Sequence, residues 1–525
     1  MSDQPKDPLA EAKLSKEAAK DLAIVAKGGA IQVVGQILQR SLSFLFASVV
    51  VRALGVAASG VYRQVAQTLT LAGQLGLLGF NFAAMRWIAR SRAAGEPGGV
   101  KGATHVAVFG TLISSAVVFI GLMVLAGPIG ATFGDSAAKD AEFARLIRLG
   151  AAYVPLFGLL QVYRYCTQAY KTMVPSVIAG NIVQPAVRFI LGLVLILAGF
   201  EVAGVVVTLV ASMGVGAVVA YWYYRRLLTE KERAAEPVRK TGEMVRFSMA
   251  QAGASLLGVQ SLGLGILLLG IISNDAAVGV FGIALSLQGP ANVFLGGIVN
   301  IWAPMVSDLH EKGEMDRLGS LYKTINRWIA TFSFPVAAVL IIEPDLFVRL
   351  FAGKEVSGNL IGDATAAVAI LAVGNIFYTG TGPTGYVLSM TGRPGVNFVN
   401  SIIGVALYIA LGIIVVPDHG VVGMAIVDSV VTALMNSVRV IQAKALVGIQ
   451  PFGRTFYKPV VATLAGAAVL FPLSFFTDDH AWLEIAGITV ATLVYLLVLK
   501  LLGLDPEELL VWERIRKRAF KRGRG

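Results

Sequence analysis

Long apolar runs fill most of this chain, and short clusters of charged and turn-forming residues interrupt them at regular intervals. About fourteen runs are long enough to cross a hydrocarbon core of about 30 Å at 1.5 Å per residue. The alternating apolar and polar positions of a membrane barrel are absent. Backbone groups facing lipid must then be satisfied inside each segment, which only helices achieve. The pattern predicts an all-α polytopic membrane protein with 14 transmembrane helices.

Twelve of these spans are one six-span pattern written twice. Lys27, Gln32, Asn81, Thr172, Pro175, Asn181 and Gly204 align without gaps on Arg246, Gln251, Asn300, Thr391, Pro394, Asn400 and Gly423, a constant offset of 219 residues. The stretch Ala57 to Tyr62 aligns in the same register on Ala276 to Phe281. An even number of spans per copy sends both copies into the bilayer in the same direction, so two six-helix lobes in parallel repeat are expected, with substrate between them. The predicted layout is a surface helix at 1–27, an N-lobe at 28–224, a linker at 225–246 and a C-lobe at 247–443. Two extra C-terminal helices at 444–503 and a basic amphipathic tail at 504–525 complete it. The two terminal amphipathic segments suit either topology anchoring or a part in gating or partner docking.

Polar residues inside the spans fall on single helix faces. In the first span Gln32, Gln36, Gln39, Arg40 and Ser43 share one side, as do Arg63, Gln67, Thr70 and Gln74 in the second and Asn181, Gln184 and Arg188 in the fifth. Such a stripe faces either neighbouring helices, through hydrogen bonds, or a wet cavity. The second copy supplies Gln251 and Ser255, then Gln288 and Asn292. Span ten carries Asn375, Tyr378 and the run Thr379 to Gly385, which predicts a break in that helix.

The arginines ask for more. Arg40 and Arg188 sit near mid-span, where each charge costs about 2.5 to 3.5 kcal/mol on insertion scales. Arg63, Arg52 and Arg164 lie nearer the surfaces, and snorkelling is the competing reading for Arg52 and Arg164. In the second copy the same five positions hold Val259, Ile271, Gly282, Pro383 and Leu407. Positive charge confined to one lobe answers a mobile negative charge, and a phosphate or pyrophosphate suits the forked guanidinium donors. Asp428 is the one carboxylate clearly inside a span, either a carrier for a coupling H+ or Na+ or the counter-ion of an arginine.

Composition and charge fix the setting. The chain has 525 residues, 56% hydrophobic and 14% charged, with a mean hydropathy of +0.73. Its formal charge of +12 concentrates in the N-terminal tail, the Arg86 to Lys101 and Arg225 to Arg246 loops, and the tail ending at Arg524. By the positive-inside rule these face the cytoplasm, with both termini inside a plasma or inner membrane. The charge is topological and lipid-directed, which leaves nucleic acid out as a partner. A lone cysteine, Cys166, excludes an intramolecular disulfide, and the four scattered histidines form no metal spacing, so neither an enzyme nor a cofactor is expected.

The opening span followed by Arg52-Ala53-Leu54-Gly55 and Gly60-Val61-Tyr62, the Lys171 to Pro175 turn and the Gly420 to Ile426 run resemble polysaccharide transporters. These belong to the multidrug/oligosaccharidyl-lipid/polysaccharide exporter superfamily. The likeness covers spans one to twelve. It implies two lobes rocking between inward-open and outward-open states, and in Wzx-type members the flipping of an undecaprenyl-pyrophosphate-linked oligosaccharide through a cationic cavity. On that reading Arg164 and Arg40 receive the pyrophosphate, Arg188 holds it, and Arg63 with Arg52 accompanies its exit. Gln32, Gln36, Asn181, Gln184, Gln251 and Asn292 would meet the sugars. Membrane lipids, a glycan polymerase and glycosyltransferases are the implied partners. A lipid II flippase shares the fourteen spans and the pyrophosphate. A multidrug antiporter shares the architecture but favours carboxylates in the first lobe, and spans one to five have none at their centres.

Overall fold

The computed structural model describes residues 31–32, 34–134, 136–256, 263–356, 358–477 and 481–503, and among these the chain is helical with no strand. The predicted surface helix at 1–27 and the basic tail at 504–525 fall outside the described residues. In chain order the N-terminal half contains α1 (Val34–Leu54), α2 (Val56–Ala93), α3 (Pro97–Phe133), α4 (Ala137–Gln168), α5 (Val174–Leu197) and α6 (Val202–Leu227). The C-terminal half contains α7 (Thr241–Leu256), α8 (Leu264–Ile272), α9 (Asp275–Leu287), α10 (Val293–Glu311), α11 (Met315–Ile342) and α12 (Pro344–Ala352). It continues through α13 (Asn359–Thr381), α14 (Thr384–Met390) and α15 (Pro394–Gln442) to α16 (Tyr457–Thr477) and α17 (Ala481–Leu501).

Eleven helices among the described residues are long and apolar enough to cross a membrane, or twelve when the bent pair around Pro290 is counted as one span. The length of α15 shows why the number is not simply read off. Its 49 residues would extend about 74 Å if straight, over twice a hydrocarbon core. Gly420 instead takes a non-helical φ of 51°, and the chain doubles back there. Tyr408 donates to Asp428 Oδ1 at 2.9 Å, while Asn400 and Gln442 exchange amide hydrogen bonds. Those pairs meet only if the segment is an antiparallel hairpin. The seventh predicted span runs across residues 257–262, outside those described.

Burial divides along the chain. Val65, Leu69, Ile147, Val154 and Leu209 belong to one core and Val278, Ile283, Val368, Met424 and Val431 to another. Large side chains such as Ile113, Val117 and Val124 on α3, and Ile413 and Ile414 on α15, point outward. In a bilayer their solvent is lipid, so exposure carries no penalty.

At the end of the bundle opposite the basic loops the two halves close on each other. Val51 and Val56 of the first half are buried in the core of the second. Here α2 crosses α9 with backbones in contact: a Cβ on Gly60 would strike the Asp275 carbonyl, and one on Gly279 would strike the Val56 carbonyl. Val56 and Asp275, like Gly60 and Gly279, are equivalent positions of the repeat, so the crossing lies on its pseudo-twofold axis. Glycine is needed at both because any side chain would wedge the lobes apart.

Polar contacts reinforce this closure. Ser48 Oγ donates to the Phe351 carbonyl at 2.6 Å, and Arg52 donates to the Phe351 carbonyl at 3.1 Å and to the Leu350 carbonyl. These carbonyls end α12 and lack intrahelical partners, so α1 caps a helix of the other half. Gln64 donates to Asp275 at 3.0 Å, and Lys139 stands 3.9 Å from the same carboxylate. At the basic end α7 lies on the first half, with Trp87 against Phe247 at 5.4 Å between ring centroids and Gly79 beneath the Ser248 carbonyl.

Span ten breaks where its composition predicts. Gly382 takes φ 64° between α13 and α14, which frees the preceding carbonyls. Asn326 Nδ2 takes up Gly380 O at 2.7 Å, and Tyr322 donates to Thr381 O at 3.3 Å. A Cβ at Gly382 would collide with Asn326.

Candidate anion-binding cavity

A cavity of about 960 Å³ lies between the two halves, lined by Gln32 ahead of α1, Gln36, Gln39 and Arg40 of α1, Arg164 of α4, Asn181 of α5, and Ser286, Asn292, Tyr378 and Tyr386 of the second half. Two smaller chambers adjoin it. One of about 410 Å³ inside the first half shares Gln39, Ser43 and Ser286 with the central cavity and holds Arg63 and Arg188. The other, about 550 Å³ inside the second half, shares Arg40, Leu285, Asn292 and Tyr378. Both side chambers thus share walls with the central cavity.

The fifth span shapes the first-half side. Pro185 offers no N–H, and the turn before it, Ile178–Val183, widens into a π-helix. Gly180 within that turn leaves room for the Arg164 guanidinium, which would overlap any Cβ there. Arg164 donates to Asn181 Oδ1 at 2.9 Å, to the Ser176 carbonyl at 3.2 Å and to Gln161 Oε1 at 3.4 Å. All three of its nitrogens are engaged, so it pins the widened turn while facing the cavity.

Arg188, one helical turn after Gln184, enters a cage. Its Nη2 donates to the Tyr62 hydroxyl, and its guanidinium lies 5.0 Å from the Phe46 ring centroid and 5.7 Å from that of Tyr62. Its buried Nε has no acceptor. Aromatic faces hold a cation in place without neutralising it. Arg63 donates to Ser286 Oγ of α9 at 3.1 Å and lies over Gly282, its own equivalent in the repeat. Arg40 reaches the Gly289 carbonyl at 3.5 Å.

Four arginines therefore face the central cavity and the first-half chamber, and among the described residues no Asp or Glu lines either space. None of the four forms an ion pair among the described residues. Partly buried charge of one sign, without a counter-ion among the described residues, sets the electrostatics of these two spaces.

The residues singled out from sequence separate into groups. Arg40, Arg164, Gln32, Gln36, Asn181 and Asn292 meet at the central cavity, and Arg63, Arg188 and Gln184 at the first-half chamber. Gln184 there donates to Ser212 at 3.1 Å. Arg52 lines none of the three spaces and belongs to the inter-half closure, so its place in a continuous ladder is corrected. Gln251 also lines none of them. Asp428 is in the second-half chamber, bonded to Tyr408 rather than to an arginine. Phe46 and Tyr62 escaped the sequence reading because aromatics at helical spacing look like core. Arg439, in the second-half chamber, escaped it because its repeat equivalent is Ala220, and the offset tests only what the second copy lost.

Helices packed as two halves around a cationic cavity define a multi-pass membrane protein of transporter architecture. The chain belongs to the polysaccharide biosynthesis protein family, whose family model matches residues 25–310. Among solved structures it is similar to the lipid II flippase MurJ in an inward closed conformation, at a TM-score of 0.70 and 12% identity over 89% of this chain and 98% of that one. An inward-facing multidrug resistance transporter of the MATE family and MOP superfamily matches at 0.64 and 16% identity, covering 80% and 99%. A MOP superfamily transporter from Pyrococcus furiosus, described as having a binding pocket of reverse polarity, matches at 0.59 and 17%, covering 81% and 95%. These likenesses establish the MOP-type fold. No curated protein matches the sequence significantly.

Proposed function

We propose that the protein is a flippase carrying a polyprenyl-(pyro)phosphate-linked oligosaccharide from the cytoplasmic to the outer leaflet, by alternating access, for cell-surface polysaccharide synthesis. One observation carries the reading: four guanidinium groups line the central cavity and the first-half chamber, whose walls carry no carboxylate among the described residues. A diphosphate fits such a set because each guanidinium offers paired donors in a plane. A cationic drug does not fit it.

The shape of the central cavity supports a lipid-linked cargo. Ser41 and Leu45 of α1 and Val293, Gly296 and Val299 of α10 line the central cavity, and Ser41 and Leu45 are exposed. The mouth lies between these two helices, where a head group can slide in while its tail stays in the bilayer. With the basic loops cytoplasmic, the closure at Gly60 and Gly279 faces outward. Separation of α2 from α9 then opens the outer side.

Export of the lipid-linked glycan, followed in cells and in reconstituted vesicles, tests the proposal. Arg40→Ala and Arg188→Ala are expected to abolish export while the protein inserts and folds normally. Normal export from both variants would discard it.

A further inference from the structure

The first-half chamber has cations and no carboxylate, but the second-half chamber is built from different chemistry. Asn375 is buried and lines it; its Nδ2 donates to Gln288 Oε1 at 3.3 Å, and its Oδ1 has no partner. Asn292 Oδ1 and Arg439 Nε are likewise buried without partners. Asp428 commits one oxygen to Tyr408 at 2.9 Å and leaves the other to the chamber, beside Thr432. Orphaned amide, guanidinium and carboxylate atoms of mixed polarity inside one space await a ligand that both donates and accepts.

We infer that this chamber is the glycan subsite, holding the sugars nearest the pyrophosphate, an inference that rests on the head-group reading above. A sugar hydroxyl is donor and acceptor at once, so it pairs with Asn375 Oδ1, Asp428 and Arg439, which no single ion does. Asp428 shares the chamber with the Arg40 and Arg439 guanidinium groups, whose charge disfavours a resident cation, and no cluster of three or more His, Cys, Asp or Glu exists among the described residues. The chamber's volume of about 550 Å³ falls within the roughly 300–1,000 Å³ of small-molecule sites. Arg40 and Tyr378 line both this chamber and the central cavity, so a head group at Arg40 delivers its first sugars directly into it.

The test uses the full chain in lipid nanodiscs and two probes: sugar-free undecaprenyl pyrophosphate, and the lipid-linked glycan pool extracted from cells that make this protein. The readout is the ratio of the two affinities. Wild type is expected to bind the glycan lipid at least tenfold more tightly, and Asn375→Leu and Asp428→Asn, both close in volume to the native residues, to bring the ratio towards one. Thr432→Val serves as a milder third variant should either fail to fold. A wild-type ratio of one overturns the inference. So do variants that keep the wild-type ratio, or an Asp428→Asn effect confined to the Na+ or pH dependence of binding. Sugar-free lipid that binds Arg188→Ala as well as wild type instead overturns the head-group reading, and the ratio measured on the glycan chamber variants still decides this one.

Discussion

The two chambers flanking the central cavity occupy opposite lobes of one duplicated fold, yet they have diverged in kind. The first-lobe chamber concentrates Arg63 and Arg188 with hydroxyl and amide groups and no carboxylate; the second holds Asp428, Asn375, Asn436 and Arg439. Duplication supplies matching helices, and matching helices supply matching cavities. Chemistry then diverges freely because cavity walls are not constrained by packing. The Gly60 and Gly279 crossing shows the opposite regime: backbones touch there, and both copies keep glycine.

The largest effect is expected at Arg188. Replacing it with alanine removes the caged guanidinium from a desolvated anion, a loss of about 2 to 5 kcal/mol for one partner of a buried charge pair, so transport should fall on the order of a hundredfold. Arg188→Lys should recover little of it, since an ammonium cannot both donate to Tyr62 and present a planar fork to the cargo. Full rescue by lysine in a vesicle flipping assay would show that the chamber reads charge alone.

A second experiment erases the difference between the lobes. Gln184→Glu places a carboxylate in the first-lobe chamber, one turn from Arg188, where the side chain is 7% exposed. It would pair with the arginines internally and compete with the cargo. Transport should fall about tenfold or more while thermal stability holds or rises, because an uncompensated buried cation gains a partner. Unchanged transport would mean that cargo does not reach this chamber.

The helical class, the membrane setting and the family were legible in the sequence because they depend on long apolar runs and motif order, both local properties. The break at Gly382 was legible too, since Gly and Pro act on their own backbone. The fate of individual arginines was not. Arg164 is held by the π-turn at Gly180, Arg188 by Phe46 and Tyr62, and Arg52 by carbonyls about 300 residues away in the chain. Each depends on which helices touch, and hydrophobic periodicity says only that a face is polar. Position-by-position comparison of the repeats likewise exposed five arginines lost from the second copy but had no means of finding Arg439, which that copy gained.

The closure between lobes gives a smaller effect. Gly60→Val drives a branched side chain against the Asp275 carbonyl, and overpacking of this kind costs about 1 to 3 kcal/mol. The closure at this crossing should loosen and net transport drop roughly tenfold. Val56→Cys, buried at the crossing, should become open to an impermeant maleimide in the Gly60→Val background, and Cys166 is buried and contributes no labelling. Unaltered labelling would mean that the crossing is not what keeps the lobes together.

Arg52 provides the finest test, because it separates gate from cargo site among residues that look alike in sequence. Its guanidinium caps the last turn of α12 through the Leu350 and Phe351 carbonyls, where a cation also meets the negative end of the helix dipole. Ser48 shares the Phe351 carbonyl, so removing Arg52 leaves the cap half made. Arg52→Ala should therefore weaken the closure by only about 1 kcal/mol. Labelling at Val56→Cys should rise a few-fold and transport should change about twofold. Lysine should restore most of the function here, since a single ammonium can donate to carbonyls and satisfy the dipole without a planar fork. The same Arg→Lys exchange is thus expected to succeed at Arg52 and fail at Arg188. If lysine failed equally at both, Arg52 would be reading an anion after all, and the cargo path would have to extend through the seal.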